Sequence, residues 1–108
     1  MKNIIENNRI IAEFMGYPKY KIDFVGKRLN FENSKHNTYH KDWNWLMPVV
    51  EKIESLGYKI DISKWEKSQY CGIYLNGKKI SGNEQILKIE AVYNACIEFI
   101  KWHITQNK

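Results

Sequence analysis

Asn76-Gly77 constrains this chain more than any other pair of residues. It lies between a run in which Cys71, Ile73 and Leu75 alternate with Tyr70 and Tyr74, and the segment Lys78-Lys79-Ile80. Asn and Gly both tolerate positive φ, which a type I′ turn demands at its two central positions, and the twist of that turn matches paired antiparallel strands. A hairpin with its tip at residues 76–77 is therefore expected. Upstream, Tyr58, Ile60 and Ile62 alternate with Lys59 and Asp61, the period of a half-buried strand. Tyr20, Ile22 and Phe24 alternate with Lys21 and Asp23 in the same way up to Gly26, and Leu29 and Phe31 can continue the pairing as a second short strand.

Three segments carry the helical period instead. In the first, Ile4, Ile11 and Met15, with Ile10 and Phe14 beside them, form an apolar stripe. Asn3 and Glu6 have capping-box spacing at its start, Gly16 can take the left-handed conformation at its end, and Pro18 blocks continuation. The second runs from Asp42, a good N-cap, to Leu56, with Trp45, Leu46, Val49, Val50, Ile53 and Leu56 on its buried face and Gly57 closing it. Pro48 either kinks this helix or begins it again at an N1 position. The third is expected over residues 83–104, opened by a capping box at Ser81 and Glu84. Ile86, Ile89, Tyr93, Cys96, Ile100 and His103 repeat on one side of it, widened by Val92, Phe99 and Trp102.

The order α-β-(β)-α-β-β-β-α predicts a single α+β domain spanning residues 1–108. Its mostly antiparallel sheet has about four strands with three helices packed on it, in the manner of an α/β/α sandwich. Fifteen Ile against three Ala agree with a large sheet contribution to the core, because β-branched side chains suit strands. Cys71 and Cys96 sit among apolar neighbours and read as buried free thiols, not a disulfide. The first ten residues place Glu and Asn where a signal peptide needs an unbroken apolar run, and no stretch approaches the roughly 20 apolar residues of a membrane span. A cytoplasmic protein is expected.

The chemistry of an enzyme is not written in this sequence. It has no Gly-rich phosphate loop, no nucleophile elbow and no HExxH helix. His36 and His40, three residues apart and near Asp42, fall in a loop where that spacing has no geometric meaning for a metal. No cofactor and no catalytic residue are therefore expected, and function should be binding. The net charge of +5 favours encounter with acidic or nucleic-acid-bearing partners and excludes an acidic mimic of DNA. Fifteen of the seventeen basic residues are Lys, however, and direct base reading usually leans on Arg forks.

Basic and aromatic tips gather in two places. Lys19, Lys21, Lys27 and Arg28 interleave with Tyr17 and Tyr20 around the first strand, a mixture that suits phosphates with stacked bases and equally suits a solvated strand face. Tyr39, His40, Lys41 and Trp43 crowd the junction between the long polar loop 27–40 and the second helix. Lys19, Lys21, Lys27, Arg28, Tyr39, His40, Lys41 and Trp43 form the expected binding surface. Lys64, Lys67, Lys78 and Lys79 flank the hairpin and read as charges that protect a sheet edge.

Two segments also carry a resemblance. Tyr39-His40 followed by Asp42-Trp43-Asn44-Trp45-Leu46-Met47-Pro48-Val49-Val50-Glu51-Lys52-Ile53-Glu54-Ser55-Leu56-Gly57-Tyr58 resembles the central motif of a family of small phage and prophage proteins. Lys88-Ile89-Glu90-Ala91-Val92-Tyr93-Asn94-Ala95-Cys96-Ile97-Glu98-Phe99-Ile100-Lys101-Trp102 is similar to its C-terminal helix, and Ile10–Gly16 to its start. The resemblance implies an α/β/α-sandwich-type domain. It implies no catalytic or binding residue. Small phage accessory proteins of this kind are often anti-defence factors, anti-CRISPR proteins among them. The expectation drawn from it is an inhibitor that docks on a host defence protein or ribonucleoprotein, such as a CRISPR effector or its guide RNA. A phage nucleic-acid-binding or regulatory module without an inhibitory role is the alternative.

Overall fold

The computed structural model describes residues 4–17, 24–25, 28–29 and 35–106, and the elements follow the order expected from the sequence. Helix α1 (Ile4–Phe14) stops at Gly16, whose φ of 97° places it in the left-handed region. The Gly16 amide donates to the Glu13 carbonyl and the Tyr17 amide to the Ala12 carbonyl, which satisfies two of the helix's last carbonyls as a Schellman motif does. Strands β1 (Phe24–Val25) and β2 (Arg28–Leu29) pair antiparallel as a short ribbon. Tyr20, Ile22 and Phe31, expected to extend these strands, lie outside the described residues.

A 3₁₀ turn (Lys35–Thr38) occupies part of the expected loop and leads into α2 (Trp43–Ser55). Asp42 caps α2 as expected, accepting from the Asn44 amide at 2.9 Å. Pro48 does not restart the helix. It lies inside α2, so the run beginning at Trp43 is one helix.

Strands β3 (Lys59–Lys64), β4 (Gln69–Leu75) and β5 (Lys78–Gln85) form a three-stranded antiparallel sheet in sequence order. The Asn76-Gly77 tip has φ of 53° and 82°, the double positive φ of a type I′ turn. The four-stranded expectation is corrected: β1 and β2 pair with each other in a sheet of their own. The α+β class stands.

The third helix begins later than its capping-box spacing predicts. Ser81 and Glu84 belong to β5, paired opposite Ile73 and Tyr70, and α3 (Lys88–Gln106) starts after them. The Ser81 hydroxyl caps nothing; it donates to the Ala95 carbonyl at 2.9 Å, tying β5 to α3. Pairing with a seven-residue neighbour strand outweighs a local cap whose net worth is about 1 kcal/mol. Ile86, expected on the buried helix face, is consequently left in the connection and is 79% exposed.

The core is built on α3. Ala91, Val92, Tyr93, Ala95, Cys96, Ile97, Phe99 and Ile100 are all buried, so the helix is covered around most of its girth. Cys71 and Ile73 of β4 pack on one side, with Ile60, Ile62 and Ile80 partly buried beside them. Ile11 and Ala12 of α1 and Leu46, Val49, Val50 and Ile53 of α2 complete the same cluster. Cys71 and Cys96 are free and buried, as expected. Leu75, expected in the core, is only half-buried and stands outside the cluster.

Two polar joints hold the layers in register. Asn8, fully buried on α1, accepts from the Tyr93 hydroxyl at 2.9 Å while its amide donates to Asn37 at 2.8 Å and meets His40 Nδ1 at 3.1 Å. Lys52 of α2 donates to the Phe14 carbonyl at the end of α1 and sets its ammonium 4.8 Å from the Phe14 ring centre. At the far end of α3 the His103 ring stacks on Phe99 at 5.4 Å, inside an aromatic cluster with Tyr58 and Phe14.

Candidate functional site

Alternation along each strand decides what the sheet shows to either side. Cys71, Ile73 and Ser81 point at α3. Register then places Lys59, Asp61 and Ser63 of β3, Tyr70, Gly72 and Tyr74 of β4, and Gly82 and Glu84 of β5 on the opposite, outer face. Among the described residues no helix packs there. The helices lie on one side of the sheet, not on both, which corrects the sandwich expectation.

Aromatic rings lie flat on this outer face. Glycines at two cross-strand positions, Gly72 opposite Gly82, remove the side chains that would otherwise stand there. A Cβ on Gly72 would meet Tyr74 Oη at 2.6 Å and Tyr70 Cε2 at 2.9 Å, and one on Gly82 would collide with Tyr70 Oη and the Lys79 stem. The two tyrosines thus rest on bare backbone, the close approach for which glycine is used in a strand interior. The tight 65–68 connection, closed by the Trp65 amide donating to the Ser68 carbonyl at 2.8 Å, folds Trp65 back over the same face. Its ring stacks on Tyr70 with centroids 4.7 Å apart and planes 5° from parallel. Tyr70 is covered to 8% exposure, whereas Trp65 remains 48% exposed, so the stack is capped by an aromatic surface open to solvent.

A β-bulge puts a cation on this platform. Ile73 pairs with Ser81 but Tyr74 pairs with Lys79, leaving Ile80 as the extra residue. Strict alternation from an inward Ser81 would send Ile80 out and Lys79 in. The bulge reverses both, so Ile80 packs on the core and Lys79 lies along the outer face with its ammonium 5.2 Å from the Tyr70 ring centre. Lys59 is exposed on the face and Lys64, Lys67 and Lys78 on its rim, alongside the acidic Asp61, Glu66 and Glu84. The Ser68 hydroxyl donates to the Glu84 carboxylate, which engages one of those acids locally. A hydrogen bond with Tyr70, followed by burial and nearby negative charge, pushes the Tyr74 phenol up to about 12, so it stays a neutral donor at physiological pH.

The surface expected from sequence is in part elsewhere. Lys19, Lys21 and Lys27 lie outside the described residues. Arg28 is in β2, and its side chain is not among those described. Tyr39 is corrected: it is 1% exposed, packed edge-on against Trp45 at 5.7 Å, with its hydroxyl buried and without a hydrogen-bond partner among the described residues. His40 is half-buried and committed to Asn8. Its imidazolium is disfavoured first by burial and then by the Lys41 charge, which lowers its pKa. Lys41 is exposed, and Trp43 and Met47, one turn apart on α2, are each 37% exposed. Of the expected junction, Lys41 and Trp43 are thus left as surface groups.

Sequence reading passed over the Trp65, Tyr70 and Tyr74 platform although signals for it were present. Two glycines inside strands and two tyrosines on the polar side of an alternating run mark a face where something flat lies close to the backbone. The four lysines around the hairpin looked like edge protection because the bulge that re-aims Lys79 has no signature in sequence.

Fold and face together define an α+β protein whose three-stranded sheet is backed by helices on one side and lined by stacked aromatic rings on the other. Comparison with protein-family models, with curated proteins and with solved structures finds no match to this chain.

Proposed function

We propose that this protein is a non-catalytic phage accessory protein that takes single-stranded RNA, carried by a host defence ribonucleoprotein, across the outer face of its sheet and so blocks the effector. The observation that carries the reading is the Trp65–Tyr70 stack beside Lys79, on the side of the sheet turned away from the helices. Every base has a π-face, so such a platform accepts a strand without reading its sequence, and each stacked base is worth about 1–3 kcal/mol. The surrounding lysines supply the phosphate contacts, and the net charge of +5 supports the encounter. The inhibitory role, and the phage setting, rest on the resemblance of the Tyr39–Tyr58 and Lys88–Trp102 segments to small phage proteins. The exposed Trp43–Met47 pair favours a second reading, in which the target is bound through protein alone.

Capture from a host lysate with and without ribonuclease, together with titration of a labelled single-stranded RNA, tests the choice. The expected outcome is ribonuclease-sensitive capture, and an affinity that falls with salt by a log–log slope of roughly −0.7 per phosphate contacted. Trp65→Ala should weaken RNA binding by about tenfold with the fold intact, since the side chain is half in solvent. Capture that resists ribonuclease, ignores salt and survives Trp65→Ala but not Trp43→Ala would replace the RNA reading with protein docking at α2.

A further inference from the structure

A recess of about 460 Å³ opens on the same outer face, at the end of the sheet away from Trp65, lined by Gly57, Lys59, Asp61, Tyr74, Asn76 and Gly77. We propose that it selects guanine in the bound strand. The base stacks on Tyr74, its N1–H and 2-amino group donate to the Asp61 carboxylate, and its O6 accepts from the Lys59 ammonium. This rests on the reading of the outer face as a single-strand site and adds base preference to it.

The strand register supplies the geometry. Lys59 stands directly across from Tyr74, and Asp61, two residues on and opposite Gly72, emerges on the same side of the sheet. Directly opposite residues hold their Cβ atoms roughly 5 Å apart, and diagonal neighbours remain within reach of long or aromatic side chains. Because no side chain rises from Gly72, the Tyr74 ring lies down over it beside Asp61, and the outer face of that ring is left for a base. At the mouth, Asn76 and Gly77 of the hairpin tip form one wall, and Gly57 adds no side chain of its own. The volume falls in the range of roughly 300–1,000 Å³ usual for small-molecule sites, ample for one base.

The donor and acceptor pattern then picks the base. An ionised carboxylate offers two oxygens and accepts only, whereas a Lys ammonium donates only. Guanine carries two adjacent donors, N1–H and the 2-amino group, beside an acceptor, O6, on one edge. Adenine and cytosine each offer a single amino donor on that edge, next to an acceptor that would face a carboxylate oxygen. Uracil offers one N–H between two carbonyls. Guanine alone leaves none of these groups facing its own kind, and like groups set against each other are what disfavour the wrong base.

The experiment compares three single-stranded RNAs: a uridine tract, the same tract with one central guanosine, and the tract with inosine there, which lacks the 2-amino group. Wild-type protein should bind the guanosine strand about tenfold more tightly than the uridine tract, with inosine between them. Asp61→Asn, on an exposed position of β3 where circular dichroism can verify the fold, should bring the guanosine-to-uridine affinity ratio to about one; the ratio is the readout, because losing a negative charge from this face raises affinity for every strand. Equal affinity of wild type for all three strands, or a preference that persists in Asp61→Asn, overturns the guanine assignment while the platform reading survives. Absence of salt-sensitive binding to any of the strands, with no effect of Trp65→Ala, overturns both.

Discussion

Tyr39 and His40 are adjacent, and the structure uses them in opposite ways. Among the described residues the buried Tyr39 hydroxyl has no hydrogen-bond partner, so it carries a desolvation cost that none of them offsets. Burial first, and the nearby Tyr17 second, raise its pKa, which keeps it a neutral phenol. Tyr39→Phe keeps the ring against Trp45 and removes the orphan hydroxyl, so stability in a urea titration should be unchanged or higher by about 1 kcal/mol. A loss would mean that the hydroxyl has a partner. His40, by contrast, is held through Nδ1, which accepts from the Asn8 amide because Asn8 Oδ1 is already occupied by the Tyr93 hydroxyl. Protonation at Nδ1 would set donor against donor. With the folded pKa lowered from about 6.5, the unfolded chain binds more protons in the window between the two values. Stability should therefore be full above that window and decline as pH falls through it, and His40→Gln should flatten the decline. A pH profile of unfolding free energy that is identical for the two proteins would disprove the role.

At the scale of elements, what was legible in sequence is what local chemistry decides. Gly16, Gly57, Asp42 and Asn76-Gly77 each stop, start or turn a segment through the φ they adopt or the amide they accept from, and all four act as their residue types predict. What was not legible required knowledge of the neighbour. Ser81 and Glu84 are as good a capping box on paper as any, yet β4 offered a strand to pair with and the helix began at Lys88. The count of strands in the sheet failed for the same reason: period two says that Phe24 and Leu29 sit in strands but not which sheet they join. The outer face failed through the bulge at Ile80, since one extra residue exchanges what points in and what points out. The glycine pair beneath the tyrosines gives this element its own test. In Gly82→Val the new side chain takes the space of Tyr70 Oη and the Lys79 stem and should lift the Tyr70 ring off the sheet. The near-ultraviolet dichroism of the Trp65–Tyr70 pair should diminish, RNA affinity should fall on the proposed reading, and the thermal midpoint should drop modestly because a buried ring loses its cover. An undisturbed dichroic signal with wild-type affinity would show that the rings do not depend on bare backbone at that position.

For the whole molecule, the arrangement is one of sides. α3 is the axle of the core, with α1 and α2 against one flank and the sheet against the other, and the two buried cysteines mark where sheet and helix meet. Burial, with Asp61 contributing, pushes the Cys71 thiol up to about 12, so neither that junction nor its thiol is primed for reaction at neutral pH. With the helices all on one side, Lys59, Asp61, Trp65, Tyr74 and Lys79 make their contacts on the far side of the sheet from the helical core. Substitutions there are nearly invisible to the folding equilibrium, since changes away from a core usually stay within about 0.5 kcal/mol. In a chain built this way the outer face can vary at constant stability, because what it presents and what keeps the chain folded lie on opposite sides of one sheet.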